Sequence, residues 1–225
     1  MSSSESPAVP PPPVTAGERP YPVNLTVDYP EGPRNRATVF FRLILAIPVV
    51  LLLDLFIGYA SSATGDSSGV QTATALGGFL FLPTLLLLLF RHRYPRWWFD
   101  FNVQLLAFVN RVLLYVYLLR DEYPSTEDRQ ALNLRVVYPD AKQELSRGLP
   151  LVKWLLAFPH YVVLFFLGVG LVVVTVIAWF AILFTGRYPR GLFDFTVGVL
   201  RWSTRVSCYA ILLTTDRYPP FRLGE

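Results

Sequence analysis

The sequence predicts an all-α membrane protein with four transmembrane helices, arranged as two hairpins that are each followed by an amphipathic interfacial helix. A small cytoplasmic β element completes the predicted fold. The 225 residues are 53% hydrophobic and only 16% charged, whereas a soluble domain is about 25% charged. The apolar residues come in runs long enough to cross a bilayer, and the pattern of the first half recurs in the second.

The first half of the chain opens with residues 1–20, which are rich in serine and proline and predict a disordered tail. Apolar and polar residues then alternate, which predicts a strand over residues 23–29. Long apolar runs predict spanning helices over residues 37–60 and 71–90. The polar residues 61–69 between them predict the turn of a hairpin.

The second half repeats this order with a different spacing. Alternation predicts a strand over residues 132–138. Residues 150–185 are almost continuously apolar, and one span needs only about 20 residues. We therefore expect a second hairpin, with Gly168–Gly170 as the place for its turn. Residues 221–223 are a candidate third strand of the cytoplasmic sheet.

Two sequence patterns occur once in each half of the chain. N-L-T-V-D-Y-P at residues 24–30 matches N-L-R-V-V-Y-P at residues 133–139. R-Y-P-R-W-W-F-D-F at residues 93–101 matches R-Y-P-R-G-L-F-D-F at residues 187–195. Ordered self-similarity of this kind indicates a duplicated unit. It divides the chain after the tail into one copy over 21–124 and a second over 125–225.

The basic residues predict which side of the membrane each segment faces. Lysine and arginine collect at the cytoplasmic ends of spanning helices. Here they precede or follow every predicted hairpin and are missing from both turns. Both termini and the central linker are therefore expected in the cytoplasm. The segments 96–119 and 191–215 are expected to lie along the membrane, because a crossing would invert the second copy; partial insertion remains open.

The candidate site is the R-Y-P-R corner of each copy and the helix that follows it. Tyrosine and tryptophan prefer the headgroup level, and arginine can bind a lipid phosphate through two donors. The alternative is an interfacial corner that holds no ligand. The candidate lipid- or partner-binding residues are Arg93, Tyr94, Arg96, Trp97, Trp98, Asp100, Arg111, Arg187, Tyr188, Arg190, Asp194, Arg201 and Arg205.

Two polar residues fall inside predicted spans. Asp54 and His160 are candidates for an intramembrane polar role, because ionisable groups there are costly and often functional. A structural, hydrogen-bonded role is the alternative for His160. The sequence shows no catalytic constellation, which predicts a protein that is not an enzyme. Two histidines and one cysteine predict no metal site and no cofactor, and no nucleic-acid partner is expected.

The sequence resembles a bacterial membrane family. The resemblance rests on W-F-A-I-L-F-T-G-R-Y-P-R-G-L-F-D-F at residues 179–195 and L-L-T-T-D-R-Y-P-P-F at residues 212–221. These segments are similar to the domain of unknown function 4389 family, and the first copy carries a more degenerate version. The resemblance implies a location in the bacterial inner membrane and carries no activity with it.

These observations favour a non-enzymatic membrane accessory or scaffold protein. Its expected partners are anionic lipid headgroups, together with a larger membrane complex or further copies of the chain. The alternative is a small transporter or channel formed by oligomers. An enzyme acting on lipids ranks third, since no catalytic group supports it.

Overall fold

The computed structural model describes residues 20–30, 32, 34, 36–57, 81–125 and 131–224. This part of the chain is mostly helical and contains one small sheet. A 3-10 turn, Leu149–Leu151, precedes the fourth helix. The elements are β1 (Val23–Val27), α1 (Arg36–Ile57), α2 (Phe81–Arg91), α3 (Arg96–Val116), β2 (Leu132–Val136), α4 (Lys153–Leu156), α5 (Phe158–Thr185) and α6 (Arg190–Ala210). The predicted tail and the predicted turn at 61–69 lie outside the described residues.

The two predicted strands form and pair with each other. β1 is antiparallel to β2, with Val23 opposite Val136 and Val27 opposite Leu132. In an antiparallel pair, the end of one strand lies beside the start of the other. The two Tyr-Pro segments that follow β1 and β2 therefore lie at opposite ends of the sheet.

The candidate third strand is wrong, because residues 221–223 form no strand. The C-terminal segment lies on α6 instead, where arginine side chains donate hydrogen bonds to its carbonyl groups. Arg201 donates to Leu223 O at 3.2 Å, and Arg205 donates to Gly224 O at 2.9 Å. Carbonyls that accept from guanidinium groups are not available for a strand ladder.

Helix α6 lies between the sheet and α5. Along the sheet, Cys208 near the end of α6 clusters with Val23, and Phe193 near its start contacts Tyr29. α6 therefore runs along β1 in the opposite direction. Its amphipathic sequence suits this position, because thirteen of its residues are buried between the two neighbours.

The predicted hairpin over 150–185 is wrong. The structure has one continuous helix, α5, over 28 of these residues. Gly168 and Gly170 lie inside it, and among the described glycines only Gly186 has a positive φ, 72°. A glycine inside a helix costs about 1 kcal/mol. Opening the helix there would leave several backbone groups without partners in an apolar run, which costs more.

The expected count of four transmembrane helices is not supported. Within the described residues, α3 and α5 are the two helices that are long and apolar enough to cross a membrane. They differ in their surroundings, because 39% of the most apolar part of α3 is buried and only 11% of that of α5. α1 has 22 residues with Pro48 inside, and its first half packs on α3 and α5.

Candidate functional site

Two cavities lie at the ends of the sheet, where each strand is followed by Tyr-Pro. Corner 1 has a volume of about 560 Å³ and lies between the end of β2 and the start of α3. Corner 2 has a volume of about 330 Å³ and lies between the end of β1 and the start of α6. Corner 1 is lined mainly by Arg91, His92, Arg93, Tyr94, Arg96, Tyr138, Asp140 and Lys142. Corner 2 is lined mainly by Tyr29, Pro30, Arg34, Arg187, Tyr188 and Arg190.

In corner 1, the tyrosine after β2 fixes the R-Y-P-R segment. The Tyr138 hydroxyl donates to the backbone carbonyl of Tyr94. The guanidinium of Arg96 lies 4.8 Å from the centre of the Tyr138 ring, and Phe99 meets that ring edge to face at 5.1 Å. Each such ring contact is worth about 1 kcal/mol. The strand end and the first turn of α3 therefore form one rigid wall.

Corner 2 has the same construction, with the strand end of the first half and the R-Y-P-R segment of the second half. The Tyr29 hydroxyl donates to the backbone carbonyl of Tyr188 at 2.6 Å. The guanidinium of Arg190 lies 4.8 Å from the Tyr29 ring centre, and Phe193 meets that ring edge to face at 5.0 Å. The strand of the first half thus supports the R-Y-P-R segment of the second half, and the converse holds in corner 1.

The buried tyrosine of each R-Y-P-R segment lines the cavity but directs its hydroxyl into the protein. Tyr94 donates to Leu212 O at 2.9 Å, and the Tyr188 hydroxyl lies 3.5 Å from Thr196 Oγ1. Burial raises the pKa of both Tyr94 and Tyr188 above the ordinary value. Both phenols therefore stay neutral and anchor the corner, while the flanking arginines are left at its surface.

Corner 1 carries an excess of positive charge. Arg91, Arg93, Arg96 and Lys142 line it, and Asp140 is the acidic residue among its lining. All five side chains are exposed. Within the described part of the chain, Arg91, Arg93 and Lys142 take part in no ion pair. Exposed guanidinium and ammonium groups that converge in this way favour an anion, and phosphate fits their donor geometry.

Corner 2 is smaller and is also basic. Arg187 and Arg190 are exposed at its mouth, and Arg34 forms its inner wall. Arg34 Nη1 lies 3.1 Å from the Asp121 carboxylate, which also pairs with Arg42, so Arg34 is held from behind. Burial lowers the pKa of Arg34, and the Asp121 carboxylate opposes this shift. The two exposed arginines remain the groups that can meet a ligand.

A second pair of matching contacts joins α1 to the segment after α3, and α4 to the segment after α6. Arg42 forms an ion pair with Asp121 and donates to Arg120 O at 2.8 Å. Lys153 lies 2.7 Å from Asp216 and donates to Thr215 O at 2.8 Å. Both cations are almost fully buried. They have no exposed surface for a ligand and serve to fix the frame that holds the corners.

An apolar groove of about 380 Å³ lies beside corner 2, between α1, α3 and α5. Val39, Ala46, Trp179 and Phe180 form much of its lining. The groove follows the line along which α1 and α5 pack, where Trp179 Nε1 donates to Val39 O at 3.3 Å. At the end of the same line, the Arg34 N–H donates to Gly186 O at 2.9 Å. A basic cavity and an apolar groove therefore follow one another along one seam.

Several predicted site residues have structural roles away from the corners. Arg201 donates to Leu25 O at 2.9 Å, and Arg205 is buried against the C-terminal segment. Arg111 donates to Ser125 O at 2.8 Å. His160 accepts a hydrogen bond from Trp202 Nε1 at 3.1 Å and stacks on Phe221. His160 is therefore a packed structural histidine in this fold.

Trp97, Trp98, Asp100 and Asp194 lie near corner 1 or corner 2 without lining them. Trp98 is buried and donates to Thr84 Oγ1 at 2.7 Å, whereas Trp97 is 69% exposed. Asp100 and Asp194 are exposed in the second turns of α3 and α6. Asp54 lies in the part of α1 whose side chains fall outside the described residues.

Several residues that complete the corners were not among the predicted site residues. They are Tyr29, Pro30 and Arg34 in corner 2, and Arg91, His92, Tyr138 and Lys142 in corner 1. The repeated Y-P at the strand ends was the available signal. That repeat indicates the duplication, but the sequence alone does not connect it with the R-Y-P-R segments.

The fold and its two corners define a mostly helical protein with a two-stranded sheet and two helices apolar enough to cross a membrane. Residues 150–222 match the family described as Domain of unknown function (DUF4389). This stretch holds α4, α5, α6 and the R-Y-P-R segment of corner 2. The match confirms the resemblance over these residues. No curated protein and no solved structure matches the chain.

Proposed function

We propose that this chain is a non-enzymatic accessory or scaffold protein of the bacterial inner membrane, which holds anionic lipid headgroups at corner 1 and corner 2. One observation carries the proposal: two basic cavities of the same construction lie at the two ends of one sheet. In this proposal the chain consists of two copies of one unit, over 21–124 and 125–225. The termini and the central linker face the cytoplasm.

The chemistry of the corners supports a lipid as the ligand. Each corner presents exposed arginines beside aromatic rings, the combination that suits the headgroup level of a bilayer. Corner 2 also adjoins the apolar groove, which has the character needed for an acyl chain. A free phosphate ion has no apolar part that could occupy that groove.

The position of the apolar helices supports a membrane location. α5 carries no charged residue between Phe158 and Thr185, and most of its surface is exposed. A soluble protein rarely exposes an apolar surface of this extent.

The lipid part of the proposal is tested by native mass spectrometry of the purified protein in detergent with added phosphatidylglycerol. Arg93→Gln with Arg96→Gln should remove one retained lipid, and Arg187→Gln with Arg190→Gln should remove the other. Each hydrogen bond to a charged group is worth about 1.5–3 kcal/mol. Each double variant should therefore bind phosphatidylglycerol at least about tenfold more weakly.

Arg135→Gln with Arg147→Gln is the matched control, because it removes the same charge from exposed positions outside both cavities. This variant should retain lipid as the unaltered protein does. Equal loss in the control, or equal retention of phosphatidylcholine, would show that neither corner recognises an anionic headgroup.

The scaffold part of the proposal is tested by purification from native membranes. A partner that remains bound in fixed stoichiometry, and is lost from the corner variants, is the expected result. Flux of a solute across the membrane of liposomes that contain this protein alone would contradict a scaffold role and favour the transporter alternative.

A further inference from the structure

The line from corner 1 to corner 2 runs parallel to β1 and α6. Corner 1 lies at the Val23 end of β1, since Val136 is opposite Val23 and is followed by Tyr138. Corner 2 lies at the other end, at Tyr29. About eight extended residues separate the two tyrosines along the sheet, which corresponds to roughly 25 Å.

Helix α5 follows the same line. Near its start, His160 accepts the hydrogen bond from Trp202. Near its middle, Gly170 approaches Phe195. Its last turns lie in the same buried cluster as Phe193. α5 therefore packs antiparallel along α6, and its 28 residues extend over roughly 42 Å.

A crossing α5 would place the two corners on opposite faces of the bilayer. Both corners are basic, however, and lysine and arginine favour the cytoplasmic face. The crossing would also carry the sheet and the arginines of α6 to membrane depth. An arginine at mid-membrane costs about 2.5–3.5 kcal/mol on insertion scales, and an open sheet edge has no partner in lipid.

The uncovered surface of α5 has the character of a lipid-facing surface along its whole length. Its covered stripe, which includes His160, Leu171, Ala178 and Ile182, faces the protein. The outer surface carries aromatic and branched apolar side chains and no charge. Among the exposed residues are Phe158, Phe165, Phe166, Val172, Val176 and Phe184.

We infer that α5 does not cross the membrane but lies within the cytoplasmic leaflet, parallel to its surface, and that both corners meet the headgroups of that leaflet. α6 then lies at the interface, with the sheet on its water side and α5 on its lipid side. The occupant of the α5 surface is the acyl region of one leaflet. The inference rests on the membrane location proposed above and adds the orientation of the helix.

The test is the depth of three nitroxide labels in vesicles of phosphatidylglycerol and phosphatidylcholine. Phe158, Phe165 and Val176 are each more than half exposed, and at 100° per residue they share one face of α5. Each is replaced by cysteine and labelled in the full chain, and depth is read from oxygen and nickel-chelate accessibility. We expect equal depths within a few ångströms.

Phe40 and Ile47 on α1 are a second labelled pair, because α1 packs antiparallel along α5 at the Arg34–Gly186 and Val39–Trp179 contacts. Both are about half exposed, and they share one face of α1. Their depths should also agree within a few ångströms, whereas a crossing helix would separate them by roughly 10 Å. Depths on α5 that progress by roughly 27 Å from Phe158 to Val176 would overturn the inference. Such a result would leave the retention of phosphatidylglycerol at the corners unaffected. Failure of this inference can therefore be distinguished from failure of the proposed function.

Discussion

At the scale of single residues, the burial and pairing of the cations could not be predicted from the sequence. Arg42 lies near the start of an apolar run, and such a side chain is expected to extend back to the interface. In the structure it is 1% exposed and paired with Asp121. The partner lies 79 residues away in sequence, and no local pattern connects the two.

Removal of the Asp216 carboxylate is predicted to destabilise the protein. In Asp216→Asn, Lys153 would keep its charge at 0% exposure without a carboxylate beside it. Breaking a buried pair in this way costs about 3–5 kcal/mol. Thermal unfolding in detergent measures the loss. The double variant Lys153→Met with Asp216→Asn should recover most of the stability, and failure to recover would show that the charge is not the cause.

The same variant has a predicted pH dependence. Burial lowers the pKa of Lys153, and Asp216 opposes this shift. Without Asp216 the folded pKa falls further below the unfolded value, so the unfolded state binds more protons between the two values. Stability then rises with pH through that window. The deficit of Asp216→Asn should therefore shrink as the pH rises towards the ordinary lysine pKa of 10.5; a constant deficit would contradict this explanation.

Cys208 is predicted to resist alkylation in the folded protein. It is fully buried, and burial raises its pKa to about 12. At pH 9 about one thiol in a thousand would be ionised, whereas an ordinary cysteine is mostly thiolate there. Intact mass after iodoacetamide treatment measures the reaction. We expect no adduct until denaturant is added, and rapid reaction of the folded chain would contradict the burial.

At the scale of the elements, hydrophobic patterning predicted the existence of most helices and strands. Alternation identified β1 and β2, because one face of the sheet is buried against the helices. The same reasoning failed at residues 150–185, where length alone suggested two helices. An apolar run gives no signal for its own interruption, and Gly168 with Gly170 was insufficient reason to place a turn.

The turn between α5 and α6 depends on a glycine. Gly186 has φ 72°, a left-handed conformation that costs other residues about 1–2 kcal/mol. Gly186→Ala should therefore lower the free energy of unfolding by about that amount. Gly148→Ala is the control, because Gly148 has φ −89° and open space around its Cα. Equal effects of the two changes on thermal unfolding would contradict a conformational role for Gly186.

At the scale of the whole molecule, the sequence predicted the two R-Y-P-R segments as sites but not the cavities that they form. The arginines were recognised because they flank apolar runs beside aromatic residues. Each cavity also needs a tyrosine from the opposite half of the chain, such as Tyr29 beside Tyr188, 159 residues away. That pairing follows from the antiparallel sheet, which places the end of each strand at the other half's corner.

The most direct test of the common orientation of the corners is cysteine labelling in cells. Lys142→Cys reports on corner 1 and Arg187→Cys on corner 2; both positions are exposed, and the native Cys208 is buried. A membrane-impermeant maleimide should leave both positions unlabelled in intact cells and label both after permeabilisation of the inner membrane. Labelling of one position but not the other in intact cells would contradict a single membrane face for both corners.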